Sequence, residues 1–189
     1  MKIIANGVQV FRFWHGRWRL TDAERKYHLW TAAIGNWELA ERLFEVALNL
    51  AEDRRGGLLV ILDDPGTAPG LVSRTDPVAS LPDRNQAPSV GRKDQLHYLL
   101  HQKRVLDIPS AVFARIGRMD GGVVLDRNSD LLAFGAILRH QDLADLHPEN
   151  IEGARTTAAI AAYRFGSVLE ISEDGIISFF QKGKCVWDI

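Results

Sequence analysis

The chain has 189 residues, of which 46% are hydrophobic, and it carries 23 lysines and arginines against 24 aspartates and glutamates. This length suits one ordinary domain, and the net charge of −1 excludes a global field that would attract nucleic acid or an anionic membrane. The single cysteine, Cys185, excludes an internal disulfide framework and a cysteine-based zinc site. No segment approaches the ~20 apolar residues of a membrane span. We therefore expect a cytoplasmic protein, either whole or a domain of a longer chain.

The N-terminal stretch VQVFRFWHGRWRL, residues 8–20, alternates its side chains on either side of His15-Gly16. This pattern predicts a β-hairpin. Interleaved aromatic and basic residues are also typical of a surface on which nucleic-acid bases stack, but tryptophans such as Trp14 and Trp18 more often pack in a core or an interface. The rest of the sequence adds no strong nucleic-acid signal.

Two helices and a buried strand are predicted next. TDAE at residues 21–24 has capping-box spacing, which predicts a helix that is capped by Thr21 and runs to Ile34. The apolar residues of NWELAERLFEVALNLAEDRRGG recur at helical spacing, and the following run LLVILDD is typical of a strand covered on both faces. We therefore expect an α/β fold, with an N-terminal hairpin and helix over 1–35 that packs on a main domain over 36–189.

The middle of the chain carries fewer signals. Residues 65–92 are rich in Pro, Gly, Ser and Asp, which predicts a long loop, and GLVSR within it has the character of a short strand. In KDQLHYLLHQKRVL, His97 and His101 stand four residues apart, a spacing that can bind a metal from one helix face. Because no third ligand accompanies them, ordinary histidines are the favoured interpretation.

The C-terminal half predicts the order strand, strand, helix, strand, strand. IPSAVFARIGRMDGG predicts a Ser-capped helix before it, and VVLDRNSDLLAFGAIL places two apolar runs around a turn, which predicts an antiparallel hairpin. GARTTAAIAAYRFG predicts a helix that ends at Gly166, and SVLEIS and IISFF predict strands joined by a turn at Asp174-Gly175. No Walker or Rossmann glycine fingerprint is present.

Three polar segments in this half could form a ligand site: residues 119–122 (MDGG) at a strand start, residues 153–157 (GARTT) at a helix start, and residues 172–174 (SED) at a strand end. A helix start exposes N–H groups and partial positive charge, which suits a phosphate. A carboxylate from each of the two strand segments suits a metal bound to that phosphate. Spacing alone favours the alternative that these residues only build turns.

These segments, in this order, resemble the diadenylate cyclase (DAC) family. Its members carry Asp-Gly-Ala before an apolar hairpin, Gly-Thr-Arg-His-Arg-Ala-Ala at a helix start, and a strand that ends in Ser-Glu-Glu. The chain reads DGGVVLDRNSDLLAFGAIL and GARTTAAIAAYRFGSVLEISEDGIISF, with ERLFEVALNLAEDRRGGLLVIL upstream. The resemblance extends from Trp37 to Lys184. It implies a mixed sheet flanked by helices that binds ATP or cyclic di-AMP, with catalysis between two facing domains.

The resemblance also implies a role for each matching residue. Asp120 would bind a Mg²⁺ or Mn²⁺ ion and activate the attacking ribose hydroxyl, and Glu173 would take the second metal-proximal carboxylate position. Leu138 would lie against the adenine, and the glycines after Asp120 would let the ligand approach the backbone. The implied nucleotide-binding set is Asp120, Gly121, Gly122, Leu138, Gly153, Ala154, Arg155, Thr156, Thr157 and Glu173.

The chain departs from the family at the helix start. Ala154, Thr156 and Thr157 stand where the family has Thr, His and a second Arg, so only Arg155 remains of the triphosphate clamp. The loss of each preorganised donor at such a site typically costs ~100-fold or more in rate. Hydroxyls and N–H groups still suffice for a less charged phosphate.

The sequence therefore predicts a sensor domain, alone or as a homodimer, that has lost cyclase chemistry and binds an adenine nucleotide or a cyclic dinucleotide such as cyclic di-AMP. Such a sensor would act on an effector domain or protein. Two alternatives stay open. One is an active cyclase that makes cyclic di-AMP from ATP, with Asp120 as its catalytic residue. The other is a ligand-free scaffold that binds partner proteins through its Trp-rich N-terminus.

Overall fold

The computed structural model describes the backbone of residues 2–5, 9–14 and 17–20, and then residues 22–73, 96, 99–100, 103–139 and 154–189, with the side chains of 154 and 155 excepted. Its strands are β1 (Lys2–Ala5), β2 (Gln9–Trp14), β3 (Arg17–Leu20), β4 (Gly57–Leu62), β5 (Gly122–Asp126), β6 (Leu131–Ala136), β7 (Gly166–Ile171), β8 (Ile177–Gln181) and β9 (Lys184–Asp188). Its helices are α1 (Ala23–Ile34), α2 (Trp37–Glu52), α3 (Ala68–Leu71), α4 (Ser110–Gly117) and α5 (Ala154–Ala162), with 3₁₀ turns at Pro65–Thr67 and Val105–Asp107.

A six-stranded mixed sheet lies at the centre of the fold, in the order β6-β5-β4-β7-β8-β9. Strands β4 and β5 are parallel, and each of the other neighbouring pairs is antiparallel. Every residue of β4 is buried, as expected for a central strand whose two faces are both covered. The predicted α/β fold, with a mixed sheet flanked by helices, is confirmed.

The two faces of this sheet carry two separate cores. Successive side chains of a strand point to opposite faces, so Leu59 and Ile61 of β4 join one core and Leu58 and Val60 join the other. The first core includes α1, α2 and α4, and the second includes α3 and α5. The two cores together hold the sheet between helical layers.

The N-terminal residues form a separate three-stranded sheet in the order β1-β2-β3. The pairing of Trp14 with Arg17 confirms the predicted hairpin around His15-Gly16, and β1 is an additional strand that the sequence did not predict. The register pairs Arg12 with both Lys2 and Arg19, so three basic residues form one row across the strands. A role of this sheet in binding partner proteins stays an open alternative.

Helix α1 packs against α2 and the central sheet. The ring centroids of Tyr27 on α1 and Phe44 on α2 lie 5.2 Å apart, and Trp30 is completely buried. The indole Nε1 of Trp30 donates to the carbonyl oxygen of Ala40 at 2.8 Å, which ties the two helices together. The boundary near residue 35 stays a prediction, and α1 contributes to the same core as the residues that follow it.

The structure shows which residue caps the N-terminus of each of the first two helices. Thr21 was predicted to cap α1, but the carboxylate of Asp22 accepts the N–H of Arg25 at 3.0 Å, so that prediction is wrong by one residue. Adjacent Thr and Asp are both good caps, and local spacing does not choose between them. Asn36 caps α2, because its side-chain oxygen accepts the N–H of Leu39 at 3.2 Å.

Two further predicted helix ends are corrected. Ser110 does not cap α4 but is its first residue, because Pro109 takes the cap position and its carbonyl accepts the first N–H groups of the helix. Helix α5 ends at Ala162 and not at Gly166, which begins β7 instead. Between them, the N–H of Phe165 donates to the carbonyl of Ala162 at 2.9 Å and closes a turn.

The segment after β4 also differs from its prediction. GLVSR does not form a strand, because its first residues belong to α3, and Val72 makes only an isolated antiparallel bridge with Leu138. His97 and His101, the predicted metal pair, lie outside the described residues. Among the helices of the described ranges, none is both long and apolar enough to cross a membrane.

Candidate functional site

The three segments predicted to form a ligand site meet at one edge of the central sheet. Strand β5 begins at Gly122 and runs parallel to β4, whereas β7 runs antiparallel to β4 and ends at Ile171. The start of β5 and the end of β7 therefore flank the start of β4. Helix α5 is joined to β7 by a short turn at the opposite edge, so its first turn also lies at this edge. Sheet topology thus places the segments around Asp120, Thr156 and Glu173 together.

The Asp120-Gly121 turn leads into β5. Asp120 is exposed, and its Oδ1 accepts the N–H of Gly121 at 3.1 Å. Gly121 has a φ of 98°, and a Cβ there would lie 2.6 Å from the carbonyl carbon of Gly135 and 2.7 Å from the nitrogen of Ala136 on β6. Only glycine fits this close backbone contact, which fixes the position from which Asp120 extends.

Gly121→Ala is expected to lower the free energy of unfolding by about 2–4 kcal/mol, since backbone strain and a contact with β6 add together. Urea denaturation followed by circular dichroism measures this loss. Gly35→Ala is the matched control, because Gly35 also has a positive φ, 73°, but no atom lies within 4 Å of its Cβ position. Equal losses in the two variants would contradict the close packing of this turn on β6.

Gly122 and Leu138 lie on the face of the sheet that α5 covers. A Cβ on Gly122 would lie 3.5 Å from Leu58 Cδ2 and 3.6 Å from Leu138 Cδ1, which is ordinary van der Waals contact. The alanine that the DAC family has at this position would therefore fit. Leu138 is only 3% exposed and is bridged to Val72, so it offers a bound base little surface in this conformation.

The start of α5 is described in part. Gly153 lies outside the described residues, and the side chains of Ala154 and Arg155 are likewise not described. Thr157 is partly buried. The Oγ1 of Thr156 donates to Oε1 of Glu170 on β7 at 2.7 Å. One predicted phosphate donor is therefore engaged by a carboxylate that the sequence analysis missed.

Glu170 is a buried carboxylate under the first turn of α5. It is 8% exposed and stands in register between Leu58 on β4 and Ser178 on β8. The first turn of α5 has no acidic residue of its own, and the carboxyl group of Glu170 lies beneath it. The sequence did offer one signal for Glu170. It is the charged residue in SVLEIS, and because side chains alternate along a strand it lies on the same face as buried Val168.

Glu173 lies in the tight turn that follows β7. It is exposed, and the turn is closed by the N–H of Ile176, which donates to the hydroxyl of Ser172 at 3.2 Å. The φ of 80° at Gly175 agrees with the turn predicted at Asp174-Gly175. Two strand spacings of ~4.8 Å separate β5 from β7, so the strand ends that carry the two predicted metal carboxylates lie about 10 Å apart.

The sequence predicts a Mg²⁺ or Mn²⁺ ion at this edge, bound together with a phosphate. Within the described ranges, no group of three or more His, Cys, Asp and Glu side chains is placed to hold a metal ion. Magnesium commonly uses one or two carboxylates together with phosphate oxygens. Asp120 and Glu173 are both exposed, and their predicted role in binding a metal together with a phosphate stays a prediction.

The opposite edge of the sheet carries the carboxyl ends of β4 and β5, where open α/β sheets usually bind ligands. Two of its charged side chains are engaged within the protein. The Oδ1 of Asp126 accepts two backbone N–H groups of its own turn at 2.9 Å each. Arg127 donates to Asp63 at 2.6 Å and to the carbonyl oxygens of Ala33 and Ile34 at 2.7 and 2.8 Å. We therefore place the candidate site at the edge that carries Asp120.

A cleft of about 550 Å³ opens elsewhere, between α2 and the 3₁₀ turn Val105–Asp107. Its walls are formed by Glu38, Glu41, Arg42, Glu45 and Leu106. Three glutamates against one arginine disfavour a phosphate ligand, and the arginine already donates to the carbonyl oxygen of Ile108 at 2.9 Å. The cleft is therefore not a second candidate for the nucleotide.

Comparisons with known proteins support the fold. No family model matches the chain, and no curated protein sequence matches it. The crystal structure of the hypothetical membrane spanning protein from Bacillus cereus aligns with a TM-score of 0.52 at 16% identity, over 88% of this chain and 75% of that chain. A double mutant of DacA from Staphylococcus aureus aligns with a TM-score of 0.46 at 16% identity, over 89% and 90%. The first likeness shows a shared fold, and the second is too distant to support an argument.

Proposed function

We propose that the chain is a sensor domain that binds an adenine nucleotide or a cyclic dinucleotide, such as cyclic di-AMP, and has no cyclase activity. The observation that carries this proposal is the meeting of the Asp120 turn, the first turn of α5 and the Glu173 turn at one edge of the sheet. The ordered resemblance to diadenylate cyclase motifs from Trp37 to Lys184 supports it independently of the geometry.

The residue types at this edge argue against cyclase chemistry. Thr156 and Thr157 stand where the family has an imidazole and a guanidinium, and the hydroxyl of Thr156 already donates to Glu170. Two cationic donors that would stabilise departing pyrophosphate are thereby replaced by neutral groups. The N–H groups of the helix start and the remaining Arg155 suit a ligand of lower charge.

Isothermal titration of AMP, ATP and cyclic di-AMP into the protein tests the binding proposal. We expect at least one of these ligands to bind, and Arg155→Ala to weaken it by about 10- to 100-fold through loss of a charge-assisted phosphate contact. Arg164→Ala is the matched control, because Arg164 is exposed and follows the other end of α5. Absence of binding at high micromolar concentration, or equal binding by the two variants, would contradict the proposal.

A separate assay tests the absence of cyclase activity. The protein is incubated with ATP and Mg²⁺ or Mn²⁺, and the products are analysed by mass spectrometry. We expect no cyclic dinucleotide, because the cationic clamp is incomplete. A product that Asp120→Asn abolishes would favour the alternative, in which Asp120 acts as the catalytic residue of an active cyclase.

The proposed role as a sensor requires a further partner. A homodimer, an effector domain or an effector protein would have to respond to the bound nucleotide. A melting temperature that rises with nucleotide concentration would separate a sensor from a ligand-free scaffold, since only a ligand that binds the folded state stabilises it.

A further inference from the structure

Residues 137–139 follow β6 directly, at the edge of the sheet that carries Asp120. Strand β6 pairs antiparallel with β5, so the end of β6 lies beside the start of β5. A Cβ on Gly121 would lie 2.8 Å from the carbonyl oxygen of Ala136. Asp120 and Ile137 therefore each stand one residue away from the same backbone contact, and the segment borders the Asp120 turn.

This segment is extended, and it is anchored through its middle residue. Leu138 makes an antiparallel bridge with Val72, and the N–H of Arg139 donates to the carbonyl oxygen of Leu71 at 2.8 Å. Leu138 is buried in the core that α3 and α5 share. Since successive side chains of an extended segment alternate, Ile137 and Arg139 both lie on the side opposite to Leu138.

The two outer side chains are exposed and chemically different. Ile137 is 75% exposed, the largest value among the large apolar side chains of the described residues, and Arg139 is exposed as well. Scattered apolar residues are common on protein surfaces. Ile137 differs because it lies at the candidate edge and a guanidinium follows ~7 Å further along the same side. A nucleotide presents the matching pair, the flat apolar face of a base and an anionic phosphate.

We propose that Ile137 and Arg139 are specificity-determining residues of the nucleotide site, in which Ile137 packs against the base and Arg139 pairs with a phosphate. The inference rests on the proposed nucleotide site, and it adds two side chains that the resemblance to diadenylate cyclases does not imply. That resemblance implies Leu138 as the contact for adenine. Leu138 is buried, so its exposed neighbour Ile137 offers the apolar surface that a base requires.

Calorimetric titrations of AMP and cyclic di-AMP test the role of Ile137. Ile137→Ala removes three carbon atoms from the contact with the base, so we expect it to weaken both ligands by about tenfold. Ile137→Leu keeps the apolar area, and its affinities should stay within about twofold of the wild type. Val186→Ala is the matched control, because Val186 is an exposed β-branched residue on β9, at the far edge of the sheet from β6. It should change either affinity less than about twofold.

Arg139→Ala tests the phosphate contact. We expect it to weaken AMP by about tenfold through loss of a charge-assisted hydrogen bond, and to change the affinity for adenosine, which lacks the phosphate, by less than about twofold. Arg164→Ala again serves as the control, because it removes an exposed guanidinium beyond the other end of α5.

A measurement on the wild type does not depend on the variants. NMR spectra of methyl-labelled protein with AMP should show a nuclear Overhauser effect between an adenine proton and a methyl group of Ile137. Bound AMP without this effect, or equal affinities in the wild type and Ile137→Ala, would overturn the role of Ile137. Equal affinities for AMP in the wild type and Arg139→Ala would overturn the role of Arg139. These results leave the proposed function intact, whereas a wild type that binds no nucleotide would overturn the proposed function and this inference with it.

Discussion

Gly166→Ala is expected to lower the free energy of unfolding by at least about 4 kcal/mol, a large share of the 5–15 kcal/mol typical of a domain. A Cβ at this first residue of β7 would lie 1.9 Å from the carbonyl oxygen of Ile61 and 3.0 Å from Cα of Leu62. Both atoms belong to the backbone of central strand β4, so no side-chain rotation relieves the overlap. Urea denaturation followed by circular dichroism measures the loss.

The matched control for this substitution is Gly70→Ala. Gly70 lies in α3, has no atom within 4 Å of its Cβ position and does not have a positive φ. Alanine there is expected to be neutral or to stabilise the protein by up to ~1 kcal/mol, through the lower entropy of the unfolded chain. If Gly166→Ala cost no more than Gly70→Ala, the antiparallel pairing of β7 with β4 would be wrong.

The elements that the sequence predicted well are those whose signal is local. Strand β4 is an unbroken apolar run with all six residues buried, and such a run has no side that could face water. Helix α2 has a regular apolar stripe, and six of its residues are buried, including Leu43 and Val46. In both cases the residues themselves require burial on the faces that the structure shows.

Strand β9 shows where local signals fail. Its first three residues, Lys184 to Val186, are exposed, and it forms because it pairs with β8 through a turn at Lys182-Gly183. Both turn residues have positive φ, 49° and 79°, as a tight hairpin requires. An edge strand of mixed polarity has no apolar pattern, so the turn dipeptide was the available signal for it.

The sequence predicted which segments form the candidate site, but it did not predict the strand order that brings them together. The resemblance to diadenylate cyclases directed attention to Asp120, Arg155 and Glu173, and their segments meet only because β5, β4 and β7 are neighbours in the sheet. Glu170 was missed because its contact with Thr156 depends on α5 lying across β7, a long-range arrangement that local spacing does not encode.

The residue types at the start of α5 agree with the proposed sensor. Thr156 and Thr157 carry neutral hydroxyl groups, and the hydroxyl of Thr156 donates to Glu170. Neutral donors at the start of a helix suit a phosphate of low charge better than a triphosphate.

Trp30→Ala is expected to destabilise the protein by about 3–5 kcal/mol, the usual range for truncation of a buried aromatic side chain. Trp30 is 0% exposed, and its ring centroid lies 5.2 Å from that of Phe179 on β8 in an edge-to-face contact. Its Nε1 also donates to the carbonyl oxygen of Ala40 on α2 at 2.8 Å. One side chain of α1 therefore contacts both the second helix and the central sheet.

This variant also tests whether the residues before position 35 fold separately from the rest. Trp37→Ala is the matched control, because Trp37 is 65% exposed at the start of α2, and its loss should change stability by less than ~0.5 kcal/mol. Since α1 and the sheet share a core, we expect Trp30→Ala to shift one cooperative unfolding transition, measured by far-UV circular dichroism in urea. A second, earlier transition that only Trp30→Ala affects would show instead that residues 1–35 are an independent unit attached to a stable domain.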